Sequence, residues 1–177
     1  MLKVSGGIYK GTNLHCPRNI RPTSGRVKEY IFSQIGQYTV GSRVLDLFAG
    51  SGALGIEALS RKASSAVFVD ISYHSITAIR KNLLKFQLDS KVIRADSLKI
   101  INSFKIEPFD IIFLDPPYNE YEPITLVKAL ESTQILNEGG HIVIEMIAGS
   151  PEPETQNLLL TSFRTLGDTT IGIWFKQ

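Results

Sequence analysis

Short apolar runs alternate with helix-patterned segments from Val44 onward, and that order admits few folds. Residues 44–48 read as a strand that passes through a glycine turn into a helix from about Gly52 to Lys62. Residues 66–70 are a second short apolar run, after which Ser72 opens a helix with Ile76, Ile79, Leu83 and Phe86 at helical spacing. Residues 91–94 make a third strand, and Asp96 stands where its side chain can cap the next helix. A fourth strand covers residues 109–114 and a helix follows near 122–132. Gly139-Gly140 then leads into a strand at 141–145. Beyond a polar, proline-containing loop at 149–154, residues 153–177 are expected to hold one more helix and two strand-like runs. These runs, 163–166 and 170–175, meet at Asp168 as a hairpin. The expected architecture is α/β, a mostly parallel seven-stranded sheet with helices on both faces and an antiparallel C-terminal hairpin.

Composition narrows the function classes. At 177 residues the chain fits one domain with a sizeable core. A single cysteine, Cys16, excludes an internal disulfide framework and a multi-cysteine metal site. His15, His74 and His141 show no ligand spacing, so no metal is expected. No leader-like stretch or membrane-length apolar run is present, and the expected location is the cytoplasm, with no membrane contact.

Net charge is only +2, but it is unevenly spread. Residues 1–43 carry Lys3, Lys10, Arg18, Arg21, Arg26, Lys28 and Arg43 against Glu29 alone. The remainder holds more acidic than basic side chains. The expected organisation is a basic arm over residues 1–40 that meets a polyanion, joined to a body over 41–177. In the arm, Thr23 is expected to cap a helix whose apolar positions Val27, Ile31 and Ile35 pack on the body.

The first turn, from Asp46 to Gly55, leaves a strand and enters a helix. Gly50 and Gly52 let the backbone turn tightly beside a ligand. Gly50, Gly52 and Gly55 also match the spacing of a dinucleotide fingerprint, with Asp70 following at the end of the second strand. An NAD-type oxidoreductase is therefore one reading. It has no use for a carboxylate at Asp46, four residues before the first glycine. A cationic ligand with a free amino group, such as S-adenosylmethionine, does. Asp70 can take ribose hydroxyls under either reading, and Asp96 an adenine amino group.

Asp115-Pro116-Pro117-Tyr118 comes straight off the fourth strand, at the strand end where open α/β sheets place their ligands. Asp115 and the Pro116 carbonyl can both accept hydrogens from one exocyclic amine. The prolines stiffen the turn, and Tyr118 offers a face for a planar base.

These segments resemble the class I S-adenosylmethionine-dependent methyltransferases, which share a Rossmann-like fold. Within that class they resemble the RsmD family, the bacterial guanine-N2 methyltransferases of 16S ribosomal RNA. The resemblance rests on Arg21-Pro22-Thr23 with Arg26 to Glu29, on residues 46–61, and on Asp115 to Tyr118. Residues 6–11 are also similar to the family's N-terminal hairpin, and after Glu145 the likeness is loose. The chain departs from the family at Asp70, where glutamate is commoner, and at Ser72, where the family usually has an acid. The resemblance implies that Asp46, Phe48, Ala49, Gly50 and Gly52 surround the methionine moiety of the cofactor. It implies that Asp70 and Ile71 bind its ribose side, and Asp96 and Ser97 its adenine. Asp115, Pro116, Pro117 and Tyr118 would hold the target guanine. Lys10, Arg18, Arg21, Thr23, Arg26 and Lys28 would contact 16S ribosomal RNA within a small-subunit particle, with no obligate protein partner. An N6-adenine methyltransferase acting on RNA or DNA, and a non-catalytic RNA-binding module, are the other readings of the same residues.

Overall fold

The computed structural model describes residues 2–18, 20, 22–102, 107–117 and 120–177. Its elements follow in the order α1 (Gly25–Thr39), β1 (Arg43–Leu47), α2 (Ala53–Ser60), β2 (Ser65–Asp70), α3 (Tyr73–Lys85), β3 (Lys91–Arg94) and α4 (Ser97–Ile101). Then come β4 (Phe109–Leu114), α5 (Pro123–Glu131), β5 (Leu136–Ile147), β6 (Leu158–Leu166) and β7 (Thr169–Lys176). The seven strands form one sheet in the order β3-β2-β1-β4-β5-β7-β6. Strands β3 to β5 run parallel, and β7 pairs antiparallel with both β5 and β6. The chain starts in the middle at β1, builds outward to β3, then returns to β4 on the other side. That reversal between β1 and β4 opens a crevice at the carboxyl ends of the two strands, where sheets of this kind bind ligands.

Period-two alternation decides which layer each strand residue feeds. In β1, Val44 joins the cluster under α1, α2 and α3, while Leu45 and Leu47 join the opposite cluster under α5. Such fully buried side chains stabilise the fold by roughly 1.5–3 kcal/mol each. Gly55 shows how closely α2 lies on the sheet: a Cβ there would meet the Phe68 ring at 2.4 Å and Asp46 Oδ2 at 3.1 Å.

The N-terminal segment belongs to the fold rather than hanging from it. Residues 2–14 form a minimal hairpin around the Lys3–Asn13 bridge, and its turn seats on the end of α2. There Ile8 N donates to the Ser60 carbonyl at 2.9 Å and Ser60 Oγ donates to the Gly6 carbonyl at 2.6 Å. A Cβ on Gly7, which has φ +76°, would lie 2.0 Å from the Ser60 carbonyl oxygen. Helix α1 buries Val27, Ile31 and Ile35 as the spacing predicts, with the Phe32 ring 5.7 Å from that of Phe113 on β4. It thus covers the part of the sheet that α2 and α3 leave bare.

Three expectations are corrected. Residues 149–177 contain no helix: Leu158–Leu166 is a single strand, longer than the run expected at 163–166. Its leucines favour helix locally, and pairing along β7 overrides that preference. Ser24, not Thr23, caps α1, accepting from Val27 N at 3.2 Å. Lys28 does not face outward. Its amine lies fully buried between the Glu57 carboxylate at 3.2 Å and the Lys3 carbonyl.

Candidate active site

The crevice at the β1–β4 switch opens into a cleft of about 1180 Å³. Its floor is the turn after β1. Phe48 sits at φ 58°, a left-handed conformation uncommon outside glycine, and Gly50 and Gly52 follow at φ 55° and 76°. Several hydrogen bonds hold this turn. Phe48 N donates to Ser97 Oγ at 3.3 Å, Ala49 N to the Val69 carbonyl at 3.0 Å, and Gly50 N to Asp70 Oδ2 at 2.8 Å. The other oxygen of Asp70 accepts from Ser72 N at 2.8 Å, so one carboxylate orders the ends of both β1 and β2. Gly52 opens α2 and packs on Phe68 and Ile79, supporting the turn rather than lining the cleft.

Asp46 lies beneath this turn, 2% exposed, accepting from Gly55 N at 2.9 Å. Burial pushes its carboxyl well above the usual range. The Gly55 N–H opposes that shift, and the Asp115 and Asp70 carboxylates add to it. A negative charge in this place is costly until a cation arrives. Asp96 caps α4 through Leu98 N at 2.9 Å, as foreseen, and also borders the cleft. The expected cofactor residues Asp46, Phe48, Ala49, Gly50, Asp70, Ile71, Asp96 and Ser97 thus share one wall.

Asp115, Pro116 and Pro117 close the far end, as β4 delivers them. Asp115 N reaches back toward the Leu47 carbonyl at 3.5 Å, and Thr23 Oγ1 donates to Asp115 Oδ2 at 3.2 Å. Tyr118 and Arg21 lie outside the described residues. Arg18 and Arg26 are exposed at the rim. Lys10 is exposed at the hairpin turn, about 12 Å of helix away along α2. The buried amine of Lys28 has no route to RNA.

Several cleft residues escaped the sequence reading. Tyr121 packs edge-on against Phe48, ring centroids 4.9 Å apart, and burial raises its phenol with help from Asp96 and Glu120. His74, Thr77 and Lys81 of α3 form a stripe at helical spacing along one side. Asn82 ties this side together, accepting from His15 N and donating to the carbonyls of His15 and Ser51. Glu145, buried near the end of β5, and residues 166–169 of the β6–β7 turn also line the cleft. The α3 stripe could have been read from spacing. The others come together only through strand order.

Among the described residues no cluster of three or more His, Cys, Asp or Glu is placed to hold a metal, and no helix is long and apolar enough to cross a membrane. Residues 2–175 match the model of the family described as Conserved hypothetical protein 95. The chain is 39% identical to YlbH of Bacillus subtilis (strain 168), covering 99% of this chain and 100% of that one. It is 34% identical to Ribosomal RNA small subunit methyltransferase D of Buchnera aphidicola subsp. Acyrthosiphon pisum, over 80% of this chain and 76% of that one. The solved structure of yhhF from Escherichia coli has a TM-score of 0.90 and 28% identity, covering 99% and 98% of the two chains. A sheet order, a glycine turn over a buried carboxylate and a match across nearly the whole length agree, and the chain belongs to this family, that of the small-subunit ribosomal RNA methyltransferase D enzymes.

Proposed function

We propose that this protein transfers a methyl group from S-adenosylmethionine to the exocyclic N2 amine of a guanine in 16S ribosomal RNA. One observation carries the reading: the Asp115-Pro116-Pro117 turn and the Asp46–Gly50–Asp70–Asp96 wall share a single cleft across the sheet's switch point. The second half of that cleft suits the cofactor. A buried carboxylate below a glycine turn favours a cation, and two further carboxylates lie at the ends of β2 and β3 for hydroxyl and amino groups. S-adenosylmethionine, when bound, supplies the activated methyl.

The protein's own contribution is positioning. Asp115 and the Pro116 carbonyl accept hydrogens of the target amine, which favours pyramidal nitrogen and turns its lone pair into the cleft. Alignment of this kind is worth up to ~7–11 kcal/mol in well-oriented systems. Tyr121 borders the cleft as an aromatic surface for a base drawn out of its stack, and Tyr118, next in sequence to Pro117, is proposed as a second. Residues 1–40 serve as the RNA-facing arm of a methyltransferase body at 41–177. Arg18, Arg26, Lys10 and Arg21 meet phosphates there, with Lys81 added from α3. Phosphate contacts position without reading sequence, so the shape of a small-subunit particle supplies specificity. A ribosomal substrate places the work in the cytoplasm.

The test is methyl transfer from labelled S-adenosylmethionine to naked 16S RNA and to small subunits lacking their methyl groups, with nucleoside analysis. N2-methylguanosine made by the wild type and sharply reduced, to a small but measurable rate, with Asp115→Ala is the expected result. N6-methyladenosine would keep the mechanism and change the substrate. An Asp115→Ala enzyme as fast as wild type would remove the turn from the chemistry.

A further inference from the structure

We infer that Thr23 is a positioning residue for Asp115; the inference rests on the reading above, in which Asp115 accepts a hydrogen of the target amine. Ninety-two positions separate the two residues, yet Thr23 Oγ1 donates to Asp115 Oδ2 at 3.2 Å and both side chains line the cleft. Thr23 is 8% exposed, so water competes little for its hydroxyl. The neighbouring Ser24 already caps α1, which releases Thr23 from that local duty and turns its hydroxyl to the opposite wall.

An aspartate at a strand end has a broad terminal torsion, and its carboxylate plane is poorly set by its own backbone. A donor on Oδ2 sets that plane. It also leaves the carboxylate acceptor capacity for an incoming amine, since an ionised carboxylate offers about four lone-pair sites. Valine at this position keeps the shape of threonine and removes the donor. The segment from Arg18 to Arg26 thus has two duties: Arg18 and Arg26 stand at the rim, and Thr23 orders the acceptor within.

The experiment compares wild type, Thr23→Val, Thr23→Ser, Asp115→Ala and the double variant Thr23→Val/Asp115→Ala. Each is assayed by steady-state methylation of small ribosomal subunits lacking their methyl groups. Calorimetric titration with S-adenosylmethionine and thermal melting accompany every variant. Thr23→Val is expected to lower kcat by about 10- to 100-fold, the effect of a misplaced group near the reacting atoms. KM for the particle, the Kd for cofactor and Tm should stay close to wild type. Thr23→Ser should recover most of the rate, and Thr23→Val should cost nothing further in the Asp115→Ala background. A Thr23→Val enzyme with wild-type kcat overturns the inference, as does a Thr23→Ser enzyme as slow as Thr23→Val. A loss that falls on KM, cofactor affinity or melting also overturns it, since it marks a merely structural role. These failures differ from failure of the underlying reading, which shows as Asp115→Ala methylating at the wild-type rate.

Discussion

Asp46 and Glu57 stand at opposite ends of one strand–turn–helix unit, both buried, and their surroundings have opposite character. Glu57, fully buried on α2, receives Lys28 Nζ at 3.2 Å, Arg61 Nε at 3.0 Å, Ser5 N at 2.7 Å and Ser5 Oγ at 2.9 Å. Burial pushes its carboxyl up, but the Ser5 N–H and the Lys28 charge outweigh that and hold it below the ordinary range. Burial pulls the Lys28 amine down against the pull of Glu57. Asp46 faces one backbone N–H and two further carboxylates, and its carboxyl is held high. The contrast teaches how to sort buried charges: one matched within the chain joins the arm to the body, whereas one left beside like charge is a candidate site for a cation from outside.

The largest expected effect comes from unmatching the matched site. Lys28→Met leaves Glu57 with less compensation and should cost about 3 kcal/mol or more. For a protein of this size that lowers Tm by roughly 6–12 °C, measurable by thermal and urea denaturation. Removing both charges in Lys28→Met/Glu57→Gln should recover part of the loss. A single variant as stable as wild type would dissolve the contrast.

Neutralising Asp46 should do the reverse. Asp46→Asn keeps an acceptor for Gly55 N, should be more stable than wild type at neutral pH, and weakens S-adenosylmethionine binding by about 10-fold or more. The sign follows from the raised folded-state pKa. The folded protein holds this proton more tightly than the unfolded chain, so the Asp46 contribution falls as pH rises from the ordinary value of 3.8 upward. The stability gap between Asp46→Asn and wild type should therefore widen with pH over that range. Denaturation at several pH values checks it, and a variant less stable than wild type at every pH would break the comparison.

The smallest effect belongs to the exposed arginines. Arg26→Ala should leave Tm unchanged and reduce the slope of log affinity for small-subunit RNA against log salt by about 0.7–0.9. An unaltered slope would leave Arg26 without a phosphate.

Much of the frame was legible because it repeats short-range rules. The glycine turn at 50–52, the caps at Ser72 and Asp96, and the buried stripe Val27–Ile31–Ile35 each depend on neighbours a few residues away. Residues 158–166 misled because Leu158, Leu159 and Leu160 are good helix formers locally, a preference that a full antiparallel partner overrides. Lys28 misled because charge counted along a chain says nothing of the side on which it will be buried. Its partner, Glu57, is 29 residues distant, and the Thr23–Asp115 contact spans 92.

By itself, then, the sequence determined the alternation of strands and helices, the carboxylates at the ends of β1, β2 and β4, and the turn chemistry beside them. Local backbone preference and side-chain periodicity are properties of adjacent residues and survive reading in one dimension. Only the tertiary structure decided which basic residues are interior, which hydroxyl meets Asp115, and that Tyr121, Glu145 and the β6–β7 turn border the cleft. Those outcomes depend on strand order and on desolvation, and both arise only when distant segments close on one another.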